Sequence, residues 1–328
     1  MLGIRLENKH EVYLGLPALA FRSKRALFAA LKDRIWRRIH GWQEKTLSQA
    51  GKVVLIQVVV QAIPSYAMSC FLLPRTLLKE FQSLAADFFW PDGERRIIHW
   101  LAWDKMCVSK LDGERGFRKF EAFNLALLAK QLWCLLIRPD SLVHKVLKAK
   151  YFPRTHLFDA QLGTRPSFTW RSIFAALSLL HAGCRWRIGT GRSVHVWSER
   201  APSFRVITPP SLLAAQLRMC DLIVEQTREW DVEAVQFLFW PEDSRLILQI
   251  PLSLMGLDDL LVWHYSSNCL FSVRSAYHVA LSLASQEGLV MNDGLQEYGA
   301  RYGRPTFLIK LRYSHGVRFE IFYIRRLI

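Results

Sequence analysis

The stretch FEAFNLALLAKQLWCLLI at residues 120–137 decides the fold of this chain. It is apolar on nearly every face of a helix, apart from Asn124, Lys130 and Gln131. A helix that is apolar all round is buried by its neighbours, and Pro139 ends this one because proline cannot continue a helix. The stretch therefore predicts a deeply buried central helix.

The sequence on either side of this stretch is also mainly helical in pattern. In the first expected helix, which Ser23 can cap, an apolar residue recurs every three or four positions, at Leu27, Leu31, Ile35, Ile39 and Trp42. Further helices are expected from Gly51, over residues 77–90 and over residues 142–151. The alternating runs 185–188 and 194–197 flank a glycine-rich segment, which is typical of a β-hairpin.

These patterns predict a mostly α (α+β) fold in four parts. We expect a helical bundle over residues 1–182, followed by a β-hairpin and a proline-rich linker over residues 183–210. A short α+β piece is expected over residues 211–288, with a strand pair near 261–273, and a divergent basic tail over residues 289–328.

The charge of the chain indicates its class of partner. The net charge is +16 and the pI about 9.9, and a strongly basic protein attracts polyanions through counterion release. We therefore expect RNA or DNA as a nonspecific partner. Basic surfaces also occur on proteins that bind no nucleic acid specifically, and that alternative stays open. The hydrophobic fraction of 51% excludes a disordered chain.

The cysteines point to a reducing compartment. The six of them are 27 to 50 residues apart and form no C-x-x-C pair, which favours neither a zinc module nor a disulfide framework. We expect reduced, mostly buried thiols. The first residues show neither a secretory signal nor a transit peptide, so we expect an intracellular protein, nuclear or cytoplasmic rather than secreted.

One uncharged segment, residues 53–74, is long enough to cross a bilayer. Four polar residues fall on one row of a helix there, and Pro64 interrupts the middle. The segment is therefore predicted to be a core helix that breaks near Pro64, and we expect no membrane partner.

Basic residues concentrate on two of the expected helices, and those near aromatic residues suit a sequence-tolerant grip on single-stranded or hybrid nucleic acid. The candidate contacts are Arg22, Lys24, Arg25, Lys32, Arg34, Arg37, Arg38, Lys145, Lys148, Lys150 and Arg154. For each of them a solvated surface position without contact is the alternative. Tryptophans at helical spacing are, as a rule, core residues rather than stacking platforms.

Several blocks in order give the chain a family resemblance. They are YLGLP (13–17), IHGW (39–42), LSQAGK (47–52), QAIPSYAMS (61–69), IHW (98–100), FEAFNLALLAKQ (120–131) and KYFP (150–153). Together they resemble the plant LINE-type (non-LTR) retrotransposon reverse transcriptases over about residues 1 to 280. RPSFTWRSI (165–173) and RWRIG (185–189) resemble the connector of that family, and LVWHY (261–265) with FSVRSAY (271–277) resembles the start of its zinc-binding module.

The resemblance places the chain after the polymerase palm, in the thumb-like and connecting region. In that family the magnesium-binding carboxylates lie in a Tyr-x-Asp-Asp turn that precedes these blocks. The one Asp-Asp pair here, Asp258-Asp259, follows Leu257 and lies in an acidic block, so we do not expect it to bind metal.

Other possible sites also fail on their spacing. His264, Cys269 and His278 are the nearest approach to a zinc-ligand set and are expected to be a coincidental grouping. Residues 189–191 lack the lysine and the spacing of a phosphate-binding loop. We therefore expect no catalytic residue, no cofactor and no metal.

The sequence thus predicts a non-catalytic fragment of a reverse transcriptase polyprotein that binds RNA or DNA nonspecifically. Other parts of the parent polyprotein are further possible partners. The alternatives are a co-opted nucleic-acid-binding protein, a relic reading frame without selected function, and a subunit that completes a polymerase in trans.

Overall fold

The computed structural model describes residues 12–13, 16–17, 24–43, 47–90, 99–107, 116–197, 206–209, 216–253 and 256–292. The predicted basic tail lies outside the described residues from 293 onward. The chain divides into two compact units. Unit 1 is built from Met1–Arg185 and Val262–Leu283, and unit 2 from Trp186–Ser198 and Phe204–Leu261. The predicted piece 211–288 is thus shared between both units.

Unit 1 is formed mainly by helices. In chain order its elements are β1 (Val12–Tyr13), β2 (Leu16–Pro17), α1 (Lys24–Gln43), α2 (Gln49–Leu55), α3 (Ser65–Cys70), α4 (Arg75–Phe89), α5 (Trp103–Met106), α6 (Phe120–Ile137), α7 (Leu142–Tyr151), α8 (Phe168–Phe174) and α9 (Leu177–Gly183). Strands β1 and β2 pair antiparallel. Strand β3 (Cys184–Arg187) follows α9, and α12 (Val273–Asn292) begins within unit 1.

Helix α6 is the centre of unit 1, as predicted. It packs against α3, α4, α8 and α9, and its one fully buried polar residue is Asn124. The Asn124 amide donates to the carbonyls of Met68 and Phe71 at 2.7 and 2.9 Å, and its Oδ1 accepts from the Leu73 N–H at 2.9 Å. These bonds satisfy both the side chain and the end of α3, since buried polar groups need partners.

Among the described residues, α6 is also the one helix long and apolar enough to cross a membrane. More than half of that stretch is buried inside the protein. A buried core helix and a membrane span share this length and composition.

The uncharged segment 53–74 is broken, which confirms the prediction. Helix α2 begins after Ser48, whose hydroxyl accepts from the Gly51 N–H, and continues as a single π-helical stretch, Ile56–Val60. A turn over residues 61–64 then interrupts the chain, and α3 starts after Pro64.

Unit 2 is smaller and mixes short strands with short helices. Its elements are β4 (Ile223–Val224), β5 (Glu229–Trp230), α10 (Val232–Leu238) and α11 (Pro241–Leu248). Strands β4 and β5 form an antiparallel pair, with Arg228 at a positive φ of 57° in the turn. The indole N–H groups of Trp197 and Trp230 donate to the carbonyls of Thr208 and Ile250. Unit 2 thus has a small core in which both of these indole N–H groups are hydrogen-bonded.

The predicted hairpin between residues 185–188 and 194–197 is wrong. Strand β3 pairs with β6 (Leu260–Trp263), and His195 instead forms an antiparallel bridge with Arg218. Alternation in a sequence specifies which face of a strand is buried, but not which strand lies beside it. The broader prediction, a mostly α fold with a minor β part, is confirmed.

All six cysteines are free thiols, two of them buried and four partly exposed. Burial raises the pKa of Cys107 to about 12, helped by the nearby charge of Asp104, and burial also raises the pKa of Cys184 to about 12. Both thiols should therefore hold almost no thiolate at neutral pH, and the thiolate is the reactive form.

We expect Cys107 and Cys184 to be the slowest cysteines to alkylate in the native protein. A rise in pKa from 9 to about 12 lowers the thiolate fraction at pH 8 about a thousandfold. Iodoacetamide labelling followed by peptide mass spectrometry measures this, with the urea-unfolded protein as control. Equal native rates at all six positions would contradict the burial of these two.

Candidate nucleic-acid interface

Helix α1 presents three arginines to solvent. The residues of its inner side are buried against the core: Phe28, Leu31, Ile35 and Ile39. Arg34, Arg37 and Arg38 are exposed, and within the part of the chain that the structure describes none of them forms an ion pair. At these positions the predicted division into a packed apolar side and a basic outer side is confirmed.

The other candidates at this end of the chain differ from these three. The Lys32 ammonium lies 2.9 Å from a carboxylate oxygen of Glu80 on α4, so it pins α1 to its neighbour and is less available to a ligand. Arg22 lies outside the described residues. Lys24 and Arg25 lie in the first turn of α1, and their side chains are also outside what is described.

An aromatic pair lies on the outer side of α1, beside Arg37. The rings of Trp36 and His40 are one helical turn apart and stack with 4.5 Å between centroids and 17° between planes. Both residues are exposed, Trp36 at 48%. We predicted tryptophans at helical spacing to be core residues, and for Trp36 that prediction is wrong, because it falls beside the buried stripe and not on it.

Helix α7 carries three of the remaining candidates. Ser141 caps it by accepting from the His144 N–H, and the His144 ring forms a 2.7 Å hydrogen bond with the Leu135 carbonyl of α6. Lys145, Lys148 and Lys150 are all exposed. Arg154, just beyond the helix, is exposed as well.

The outward face of α7 is apolar between its lysines, a feature that the sequence pattern did not predict. Leu142 is 77% exposed and Val146 57% exposed, and the two lie one turn apart on the side opposite the packed His144 and Tyr151. Lysine side chains flank this stripe. Helix α7 therefore has a mixed apolar and cationic surface, whereas the outer side of α1 carries three arginines, an aromatic pair and exposed Asp33.

Helix α8 connects the two basic helices within unit 1. Phe168 lies 6.4 Å from Phe28 of α1, centroid to centroid. Trp170 stacks at 4.7 Å on Tyr151 of α7, and the Tyr151 hydroxyl accepts from the Ser167 N–H. Both basic helices are thus fixed to one intervening element.

Two exposed arginines of this connecting segment are absent from the sequence-based candidates. Arg165 precedes the helix cap and Arg171 lies within α8, and both are exposed. The signal for them is Ser167, whose side chain accepts from the Trp170 N–H and so starts a helix. A helix from Phe168 buries Trp170 and directs Arg171 outward.

The glycine-rich loop of unit 2 is occupied by a carboxylate of the chain itself. Oδ1 of Asp259 accepts from the Gly189 and Gly191 N–H groups and Oδ2 accepts from the Ser193 N–H, each at 2.8 Å. Successive backbone N–H groups of this kind form an anion-binding nest. Here the anion is Asp259, so one of the two adjacent aspartates has a structural role that spacing alone did not predict.

Other carboxylates of the acidic block do similar work. Between residues 221 and 259 there are nine acidic and two basic residues. Asp221 accepts from the Arg218 N–H, and Asp231 accepts from the Ala234 N–H at the start of α10. Buried Asp243 accepts from the Ile207 and Thr208 N–H groups and from the Thr208 hydroxyl. These carboxylates accept hydrogen bonds from separate backbone N–H groups and do not form one cluster.

No metal-ligand set is assembled in the residues that the structure describes. No group of three or more His, Cys, Asp or Glu side chains is arranged there to hold an ion. His264, one of the three residues weighed as zinc ligands, has its pKa lowered by burial and by the charge of Arg185. These surroundings favour the neutral form of its imidazole over the charged form.

Comparisons with known proteins found plant relatives. No family model and no solved structure matches the chain. An uncharacterized mitochondrial protein of Arabidopsis thaliana is 43% identical over 141 residues, which are 42% of this chain and 92% of that protein. The Arabidopsis protein named "Putative ribonuclease H protein" is 32% identical over 275 residues, 80% of this chain and 44% of that protein.

These relatives are consistent with a retroelement-derived sequence. The chain spans less than half the length of the relative that is named for ribonuclease H. It covers nearly all of the mitochondrial relative at an identity well above chance. The chain therefore belongs to the same family as this mitochondrial protein of Arabidopsis thaliana.

Proposed function

We propose that this chain is the post-palm part of a plant LINE-type reverse transcriptase polyprotein and that it binds RNA or DNA without catalysing a reaction. The family blocks in the sequence support the origin, and the name of the longer relative fits a retroelement polyprotein. The binding surface is the outer side of α1, supplemented by the lysines of α7 and by Arg165 and Arg171 of the connecting segment.

The observation that carries this proposal is the exposure of Arg34, Arg37 and Arg38 on one fixed helix. The opposite side of α1 is buried in the core, so the helix is a fixed scaffold and the three guanidinium groups project from it without intramolecular ion pairs in the described part of the chain. Guanidinium groups bind phosphate oxygens in a bidentate manner. A phosphate backbone lying along the helix would meet three such groups within two turns.

We expect the substitutions Arg34→Gln, Arg37→Gln and Arg38→Gln together to weaken binding and to flatten its salt dependence. Each phosphate contact to a single strand contributes about 0.7 to the slope of log K against log salt concentration, so the slope should fall by about 2. Fluorescence anisotropy with a mixed-sequence single-stranded RNA, titrated at several salt concentrations, measures both quantities.

The matched control removes the same charge from unit 2. Arg187, Arg192 and Arg245 are also exposed, and Arg192 forms an exposed ion pair with Glu225 at 3.6 Å. Their combined replacement by glutamine should leave the slope nearly unchanged. An equal loss in both triple variants would show that net charge alone governs binding and would refute an interface on α1.

The non-catalytic part of the proposal is tested by primer extension and by hydrolysis of an RNA–DNA hybrid, each with magnesium. We expect neither reaction from the purified chain. The commitment of Asp259 to three backbone N–H groups supports this expectation. Nucleotide incorporation that Asp258→Asn abolishes would overturn it.

A further inference from the structure

The Trp36–His40 pair is the one feature of the α1 surface that charge does not explain. An indole that is about half exposed on a helix forgoes much of the burial that tryptophan normally gains. Its ring nevertheless has a defined orientation, because His40 stacks on it one turn further along. The pair is therefore a rigid aromatic surface and not a loosely solvated side chain.

Its neighbours leave room for a ligand and supply charge. Ala29, two turns before Trp36 on the same side of the helix, is exposed and small. The residues one turn before Trp36 on that side are Lys32 and exposed Asp33. Arg37 follows Trp36 in the chain and lies one turn before His40. A nucleotide has both a flat ring and a phosphate, which is the pairing of groups that this surface offers.

We infer that Trp36 and His40 form a stacking platform for an unpaired base, and that this helix consequently prefers single-stranded nucleic acid to duplex. The inference rests on the proposed nucleic-acid binding and adds the part of the ligand that is recognised. Arg37, which lies beside the pair, holds an adjoining phosphate, and the aromatic pair holds a base. In a duplex the bases are stacked on one another, so no unpaired base is available to stack on Trp36 and His40.

The test compares three ligands with equal numbers of phosphates: a single strand with bases, an abasic strand of the same length, and a hairpin duplex of the same number of nucleotides. Stacking of one base contributes about five- to hundredfold in affinity when judged by loss of the aromatic residue. Trp36→Leu should therefore weaken binding of the normal strand about tenfold, while its binding to the abasic strand and the duplex and its salt slope stay unchanged. Trp36→Phe, which keeps a ring, should retain most of the affinity.

The control is Trp240→Leu in unit 2. Trp240 is 51% exposed, nearly the same fraction as Trp36, but it lies next to Glu242 in the acidic block. This variant should bind all three ligands like the unaltered protein. Circular dichroism and thermal unfolding of each variant monitor the fold.

The outcomes separate the two proposals. If the unaltered protein binds the normal and abasic strands equally and Trp36→Leu changes neither, the platform is refuted and the arginine interface stands. If Trp36→Leu weakens binding to the abasic strand as much as to the normal strand, Trp36 supports the helix and recognises no base, which also refutes the platform. If the unaltered protein binds none of the ligands, the proposed function itself fails.

Discussion

Replacing Asp259 with alanine is expected to lower the stability of unit 2 by about 3 kcal/mol, since each buried donor left unpaired costs roughly 1 to 3 kcal/mol. The Asp259 carboxylate accepts from three backbone N–H groups at 2.8 Å. Gly189 and Gly191 are buried, so their N–H groups would lose this partner without ready access to water. Urea unfolding followed by tryptophan fluorescence measures the loss, and hydrogen exchange at residues 189–193 localises it.

The neighbouring residue provides the control for this substitution. Asp258 is exposed and has the same side chain, so Asp258→Ala should change the stability by no more than about 0.5 kcal/mol. Sulfate or phosphate in the buffer should partly restore Asp259→Ala, because an anion can enter the vacated nest. Equal stability of the two variants would mean that the nest does not need its carboxylate.

Replacing Gly183 with alanine is expected to destabilise unit 1 by about 3 kcal/mol, the upper part of the usual range for overpacking a core. A Cβ atom at Gly183, at the end of α9, would overlap the indole of Trp263. Trp263 cannot yield easily, because it is fully buried, packs against Phe271 with 4.7 Å between centroids and donates its N–H to Ser275 at 2.8 Å. Chemical denaturation of the variant measures the effect.

The same substitution at Gly41 should not destabilise the protein. Gly41 lies in α1, and a Cβ there would meet no atom within 4 Å. Alanine is favoured over glycine in helices by up to about 1 kcal/mol, so Gly41→Ala should be neutral or stabilising.

Combining Gly183→Ala with Trp263→Phe should lower the stability by less than the sum of the two single changes. A Gly183→Ala protein as stable as the unaltered one would refute the close contact.

The sequence predicted the long helices because each carries enough apolar residues to define a face. Residues 120–137 and 142–151 were predicted with the bounds that α6 and α7 have, since a proline, Pro139 or Pro153, follows each of them. The short helices α8 to α11 were not specified individually. Seven or eight residues give too few periodic positions, and contacts elsewhere in the chain decide their conformation.

The candidate site was predicted in part. The amphipathic pattern of α1 was sufficient to place Arg34, Arg37 and Arg38 outside. The pattern was not sufficient to identify the ion pair of Lys32, because its partner Glu80 is far away in sequence. It also did not identify the exposed apolar stripe of α7, which depends on the packing of His144 against α6. The role of Asp259 depends on the backbone of a loop about seventy residues away, and no local pattern records such a partnership.

The buried side-chain amide of Asn124 also affects whether α6 could leave the protein core for a lipid bilayer. Hydropathy alone would let the stretch enter a lipid bilayer, yet Asn124 holds two carbonyls and one N–H of the segment that ends α3. Transfer into lipid would strip all three backbone groups of their partner at once and place a bare amide in hydrocarbon. A single side chain thus holds this apolar helix to the segment that ends α3, through three hydrogen bonds.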